Sequence, residues 1–248
     1  GFNPRTSEFF IGTFGPLGGG WGAKHNEDGV SATVCLNDGD THNSPVEQVE
    51  AHYPVMVERY GLRDDSGGAG HWQGGMGVIK KVRATSDYMF NTMVERVYCR
   101  PWGLFGGHPG MGNEVRIQVG SDEELKFPSG KILGRSMKAG EAYVLMSGGG
   151  GGYGNPLDRS LESIERDLRE GYISRQRAEG CYGVVFDASG NIDRPATQAQ
   201  REKLRGLSLS LARPEVEDAA LVEEAVEDRE IPAGLYLTDG RIFPFRCC

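Results

Sequence analysis

Apolar and polar residues alternate along several short stretches of this chain. In residues 114–119, Val115, Ile117 and Val119 alternate with Glu114, Arg116 and Gln118, a period of two that turns one face of a strand inward. Residues 78–84, 89–97 and 142–146 also read as strands, 30–36 as a short strand rich in β-formers, and 53–57 as an extended segment broken by Pro54. After residue 156 the period changes. Leu161, Ile164 and Leu168 share one helical face, with Ser160 as N-cap and Gly171 as stop. Ser174 is placed to cap a second helix ending near Gly180, and Thr197 with Gln200 has capping-box spacing for a third ending at Gly206. Residues 184–187 read as a strand entering the Ser189-Gly190-Asn191 turn, and 235–245 as a hairpin across Asp239-Gly240. The acidic stretch 214–230 carries only small apolar residues and reads as a solvated helix or a partly disordered segment. The expected fold class is α+β, with a glycine-rich, mainly β body over 1–157 and a helical segment with a terminal hairpin over 158–248.

Glycine changes this picture most. The 38 glycines are about twice the average share and fall in clusters without a collagen period. The densest cluster, SGGGGGYGNP at 147–156, runs straight out of the apolar segment 142–146. Glycine gives up the most conformational entropy on ordering, so such a run is either slack linker or backbone packed where no Cβ fits. A linker would be diluted with Ser or Pro and lie between polar segments. Bounded by a strand and a helix, this run is expected to be ordered.

Charge narrows the partners. A net charge of −8 and a pI near 5.2 give no counterion-release gain on nucleic acid or an anionic membrane. No apolar run approaches the roughly 20 residues that span a bilayer. Cys35, Cys99 and Cys181 are scattered singly, without zinc or disulfide spacing, and Cys247 and Cys248 are adjacent at the end. That usage fits a soluble protein of a reducing cytoplasm. A chain that begins Gly1-Phe2-Asn3-Pro4, with no initiator Met or signal-like segment, reads as a piece of a longer polypeptide.

No single motif identifies a chemistry. Gly149, Gly151 and Gly154 have G-x-G-x-x-G spacing after a strand, but Asn155-Pro156 stands where a dinucleotide-binding helix would open. The phosphate loop G-x-x-x-x-G-K-[ST] is absent. Asp38, Asp40, His42 and Glu47 are the densest group of ionisable residues, and Asp40 and His42, two apart, would point the same way in an extended segment. Two readings are open: a divalent-metal or acid–base site, or a surface loop whose aspartates cap turns. His25, Glu27 and Asp28 form a weaker cluster that reads as turn and cap residues. Arg96 and Arg100 flank a Trp-Gly-Leu-Phe-Gly-Gly loop and would either receive an anion or form strand-end ion pairs. His71 and His108 sit in glycine loops without paired ligands and read as structural.

Taken together, six blocks are specific: GGGWGAKHNEDG at 18–29, DTHNSPVEQVE at 40–50, YPVMVERYGLRDDSGGAGHWQGGMGV at 53–78, PWGLFGGHPG at 101–110, SGGGGGYGNPLDR at 147–159 and DLREGYISRQRAEGCYGVV at 167–185. With them the chain resembles the hydantoinase B/oxoprolinase family, which includes related subunits of acetone and acetophenone carboxylases. The resemblance is to the C-terminal half of a family chain; the family's Asn-Asp-Pro and Gly-Thr-His metal-site motif, expected in the other half, has no match here. It implies ATP-dependent hydrolysis of a cyclic amide or imide such as a hydantoin or 5-oxoproline, with ATP bound by an A-type partner and a divalent metal held in the complete enzyme. Neither cofactor is expected to be bound wholly by this chain, whose partners would be the A-type subunit and the N-terminal half of the B-type subunit. Ketone carboxylation and a non-catalytic assembly role are the alternatives. On this resemblance Asp40 and His42 are assigned acid–base or supporting roles, with Glu47 orienting them.

Overall fold

The structure, a computed structural model, describes residues 1–13, 17–34, 44–127, 129–211, 235–238 and 241–244. It has the expected α+β class, a β-rich body followed by helices. Two compact units divide the chain, Gly1–Val184 and Val185–Cys248.

The first unit is built on a five-stranded antiparallel sheet in the order β3 (Val55–Leu62), β4 (Val78–Ala84), β9 (Ala142–Met146), β6 (Glu114–Ile117) and β7 (Leu125–Phe127). β4 alternates between buried and half-buried positions along its length. β5 (Tyr88–Met93) and β8 (Lys131–Met137) form a separate antiparallel ladder. Val82, Phe90, Val115, Ile117, Met137 and Tyr143 form the core, with the Phe90 and Tyr143 rings 4.4 Å apart. A two-residue strand pair, β1 (Phe2–Asn3) with β2 (Glu8–Phe9), precedes the helix α1 (Val46–His52). Arg5 closes that helix, donating from Nη2 to the carbonyls of Glu50, Ala51 and Tyr53 at 2.9, 3.1 and 3.2 Å.

The glycine run leaves β9 and becomes the axis of a second, side-chain-poor core. Three glycine-studded segments, 18–23, 66–77 and 102–112, surround it, and its peptide groups bond to them in turn. The carbonyls of Gly148, Gly150, Gly151 and Gly152 accept from the amides of Gly20, Gly68, Ala23 and Leu104 at 3.0, 2.7, 2.9 and 2.9 Å. The amides of Gly149, Gly150 and Gly152 donate to Met111, Gly75 and His108 at 3.2, 2.9 and 3.0 Å. A Cβ on Gly149, Gly150, Gly151 or Gly152 would overlap the carbonyl of Ser66, Trp21, Trp102 or Ala69 respectively, so the directions rotate among the three neighbours and return after three residues. That is the period of an extended threefold helix without internal hydrogen bonds. The run is ordered, as the sequence predicts.

Two helices follow within the first unit. α2 (Leu161–Arg169) is capped by Ser160, whose hydroxyl accepts from the Ser163 amide at 3.1 Å, and Gly171 beyond it has φ +72°. α3 (Arg175–Tyr182) is capped by Ser174 and runs through Gly180 to Tyr182, two residues past the expected end, where the left-handed Gly183 stops it. In the second unit, α4 (Arg194–Leu211) starts three residues before Thr197. Asp193 accepts from the Ala196 amide at 3.0 Å, while Thr197 is buried in the helix and bonds to the backbone of Val185 instead. β10 (Leu235–Thr238) and β11 (Arg241–Pro244) pair antiparallel as expected. Of the strand expected over 30–36, the described residues 30–34 hold only an isolated bridge from Thr33 to Gly19, because Ala32 at φ +53° breaks the extended run.

Candidate functional site

The end of the glycine run sets up a buried charge cluster. Asn155 caps a 3-10 turn, Pro156–Asp158, by accepting from the Leu157 amide at 2.9 Å. The next residue, Arg159, is thereby turned inward until only 2 % of it is exposed. Its guanidinium grips Asp28 with two parallel bonds, Nη1 to Oδ1 at 2.7 Å and Nη2 to Oδ2 at 2.8 Å. Nε and Nη2 reach Asp167 Oδ2 on α2 at 3.1 and 2.7 Å, and Nη1 donates to the carbonyl of His71 at 3.2 Å. A guanidinium has five N–H donors in a planar fork, the geometry suited to holding two carboxylates at once.

A second set of bonds fixes the carboxylates. Asp28 Oδ1 accepts the Gln73 amide at 2.7 Å, and Gln73 Oε1 accepts the hydroxyl of the buried Tyr182 on α3 at 3.0 Å. Burial by itself would raise the Asp28 carboxyl; the hydrogen bonds and charge of Arg159, with the Gln73 amide, outweigh it and hold the group below the usual carboxylate value. Burial likewise pushes the Tyr182 phenol up. Asp28 therefore stays ionised at neutral pH and is not a proton donor there.

A cleft of roughly 290 Å³ opens beside this cluster, with Asp28, Ser31, Arg159, Arg166, Glu170 and Tyr172 in its wall. Arg166 reaches Asp28 and Asp167 at 3.5 and 3.4 Å while remaining half exposed. The wall is ionic and already hydrogen-bonded, which suits it to orienting a small polar group more than to moving protons. Among the described residues no group of three or more His, Cys, Asp or Glu side chains comes together to hold a metal ion.

The expected site residues fall elsewhere. Asp40 and His42, and Asp38 with them, lie outside the described residues. Glu47 is exposed in the first turn of α1 and does not line the cleft. The cluster at residues 25–28 divides: Glu27 pairs with Lys24 on the surface at 2.6 Å, whereas Asp28 is the carboxylate that Arg159 grips. The G-x-G-x-x-G glycines serve packing: a Cβ on Gly149 or Gly151 would overlap the carbonyl of Ser66 or Trp102, and the amides of Gly149 and Gly154 are bonded to the carbonyls of Met111 and Leu104. His71 donates from Nδ1 to the Asp158 carbonyl at 3.0 Å and packs edge-on against Trp72. Arg96 places its guanidinium 6.0 Å over the Trp102 ring.

Sequence reasoning passed over Asp28, Arg159 and Asp167 as a set, yet one signal is present. Asp167 lies three residues after Ile164 on the face of α2 that Leu161 and Leu168 mark as apolar. A carboxylate on a buried stripe calls for a buried cation.

The family model described as hydantoinase B/oxoprolinase matches residues 1–156. A protein of a Pseudomonas species assigned as the B component of a D-/L-hydantoinase is 32% identical over 201 residues, covering 81% of this chain and 34% of that protein. The beta chain of the caprolactamase of Pseudomonas jessenii is 32% identical over 213 residues, covering 81% of this chain and 36% of that one. The crystal structure of the ATP-dependent caprolactamase from the same organism aligns with a TM-score of 0.66 at 29% identity, over 75% of this chain and 33% of the other. A nucleotide-free acetone carboxylase structure also aligns at 0.66, but at 21% identity, which speaks for the fold alone. The chain thus spans about a third of the length of the curated relatives it matches. These findings correct the expected placement of the resemblance: the family match occupies residues 1–156, the N-terminal part of this chain, and does not assign the chain to a C-terminal half. No helix among the described residues is long and apolar enough to cross a membrane.

Proposed function

The chain belongs to the hydantoinase B/oxoprolinase family, and from that premise we propose that it forms part of a B-type subunit that opens a cyclic amide or imide in an ATP-driven reaction with an A-type partner. The observation that carries this reading is the 29% identity to the ATP-dependent caprolactamase over three quarters of the chain, at a TM-score of 0.66. The chemistry accounts for the use of ATP. An unstrained amide is a poor electrophile; moving the γ-phosphoryl of ATP to its oxygen makes the carbonyl carbon attackable. Water then adds to that carbon and the C–N bond breaks, the amine leaving and an acyl phosphate remaining; a second water hydrolyses the acyl phosphate, giving the ring-opened acid, ADP and phosphate.

ATP and a divalent metal belong, in this proposal, to the complete enzyme. The described residues offer no metal cluster. Asp40 and His42 act as acid–base or supporting groups, with Glu47 orienting them; the support is the two-residue spacing of the first pair and the exposed position of Glu47 on the helix that follows. The Arg159 cleft would orient polar groups of the substrate or of the partner chain. Neither Cys99 nor Cys181 is in a disulfide, which supports a cytoplasmic setting.

ADP release by the assembled enzyme, measured with hydantoin, 5-oxoproline and caprolactam and then with acetone plus bicarbonate, tests the reaction class. Release with a cyclic amide is expected, and release that requires ketone and bicarbonate would replace hydrolysis with carboxylation. Alanine at Asp40 or His42 is expected to lower turnover about 10²–10⁴-fold, the usual worth of a positioned acid or base. Unchanged turnover in both variants would leave this chain an assembly module.

A further inference from the structure

A tight turn on the glycine bundle carries a group of exposed aromatic side chains. Leu104 accepts from the Gly107 amide at 2.9 Å across Phe105 and Gly106, whose φ angles are +51° and +92°. Two successive positive φ angles define the mirror-image turn that favours Asn-Gly, because a bulky side chain in the left-handed region is strained. Phenylalanine stands there instead, 76 % exposed, with its ring 5.0 Å from Tyr153. Trp102, Leu104 and Tyr98 are also 57, 48 and 63 % exposed.

The turn has no room to relax. Leu104 donates to Gly152 and accepts from Gly154, both at 2.9 Å, so the glycine run pins its base on both sides. A Cβ on Gly103 or Gly107 would overlap the carbonyl of Gly107 or Gly152, which closes the other way out. A strained, exposed aromatic held on rigid backbone is pre-organised for contact and loses little entropy on binding. Tryptophan, tyrosine and arginine are the residues that dominate interface energies, and Arg96 lies over Trp102 here.

We infer that the 104–107 turn is an anchor that seats in an apolar pocket of the B-type polypeptide lying outside residues 1–248. This rests on the family reading above. B-type relatives are about three times as long as the segment this chain matches, and on the family reading a corresponding polypeptide of roughly twice its length packs against this third. A permanent contact of that kind covers an apolar, aromatic patch on each side. The rim supplies a second mark of the occupant: Arg96 and Arg100 flank the turn in a chain of net charge −8, so the pocket that receives it is expected to be apolar with acidic edges.

Photo-crosslinking in the assembled enzyme tests the occupant directly. Benzoylphenylalanine incorporated at position 105 is expected to join to a B-type peptide outside this chain. A crosslink to the A-type subunit or to a second copy of this chain, or a ring that reacts only with solvent, overturns the inference. Phe105→Asn separates docking from folding. It relieves the left-handed strain, so the chain alone is expected to melt about 2–4 °C higher, while its association with the B-type polypeptide weakens at least tenfold. Association unchanged by Phe105→Asn also overturns it. The crosslink without ADP release on any cyclic amide would leave the anchor standing and remove the hydrolase reading; ring opening with a solvent-facing Phe105 would do the reverse.

Discussion

Glycine does opposite work in the bundle around residues 148–152 and in the helices that follow. In the bundle, four consecutive residues have no space for a Cβ, because each direction ends on a neighbouring carbonyl. On α3, a Cβ at Gly180 would meet nothing within 4 Å. One region spends glycine on close approach of backbones, and the other merely tolerates it. Glycine content is therefore no measure of flexibility in this chain; the surroundings of each position decide.

Substitutions can break that contrast at both ends. Gly150→Ala drives a methyl group into backbone that cannot turn aside, at a point where Trp21 and Gly22 already close the space. The expected loss is upwards of about 4 kcal/mol, in the diagnostic tail of single substitutions, measured by urea unfolding of this chain. A variant within about 1 kcal/mol of the parent, by the same bookkeeping, would mean that the bundle is loose.

Arg159→Met comes next, since it strands Asp28 and Asp167, the latter almost fully buried. Removing one partner of a buried ionic cluster costs about 3–5 kcal/mol. The pH dependence has a definite sign. The folded-state value for Asp28 lies below the ordinary 3.8, so its contribution in the parent is present above that pH and fades as the pH falls through the lowered value. The gap between parent and variant is accordingly expected to narrow in acid, as protonation removes the stranded charge. A gap that widens in acid contradicts the pairing. The smallest effect is at the other pole: Gly180→Ala is expected to stabilise by about 0.5–1 kcal/mol, the helix-propensity difference, read as a higher melting temperature.

The sequence made much of this architecture legible where one local rule dominates. β4 and β9 occupy the expected residues, and Ser160 and Ser174 cap α2 and α3, because alternation and capping are written in neighbouring positions. β8 escaped notice for a physical reason. Its buried residues, Ile132 and Met137, are five apart, and Gly134 at φ +66° resets the parity between them, so no run of period two exists to be read. Thr197 shows the converse. Its spacing to Gln200 satisfies the capping rule, but its hydroxyl is drawn to Val185, and Asp193 caps the helix earlier. The charged cluster was the hardest to foresee, because Asp28 and Arg159 are separated by 131 residues and meet only once the glycine run has brought their loops together. Asp40 and His42, the strongest candidates in the sequence, lie outside the described residues, and Glu47 is exposed in the first turn of α1.

The axis of the bundle is also the last of its four segments to be synthesised. Until residues 148–152 have left the ribosome, the amides of Gly20, Ala23, Gly68 and Leu104 lack the acceptors they use in the finished molecule. The three earlier segments bond to one another at only some of their groups, Gly75 to Trp21 and His108 to Ala69 among them, so closure of the bundle waits for the fourth and is a late and collective event. Any truncation before residue 153 would release a polypeptide with its inner scaffold open.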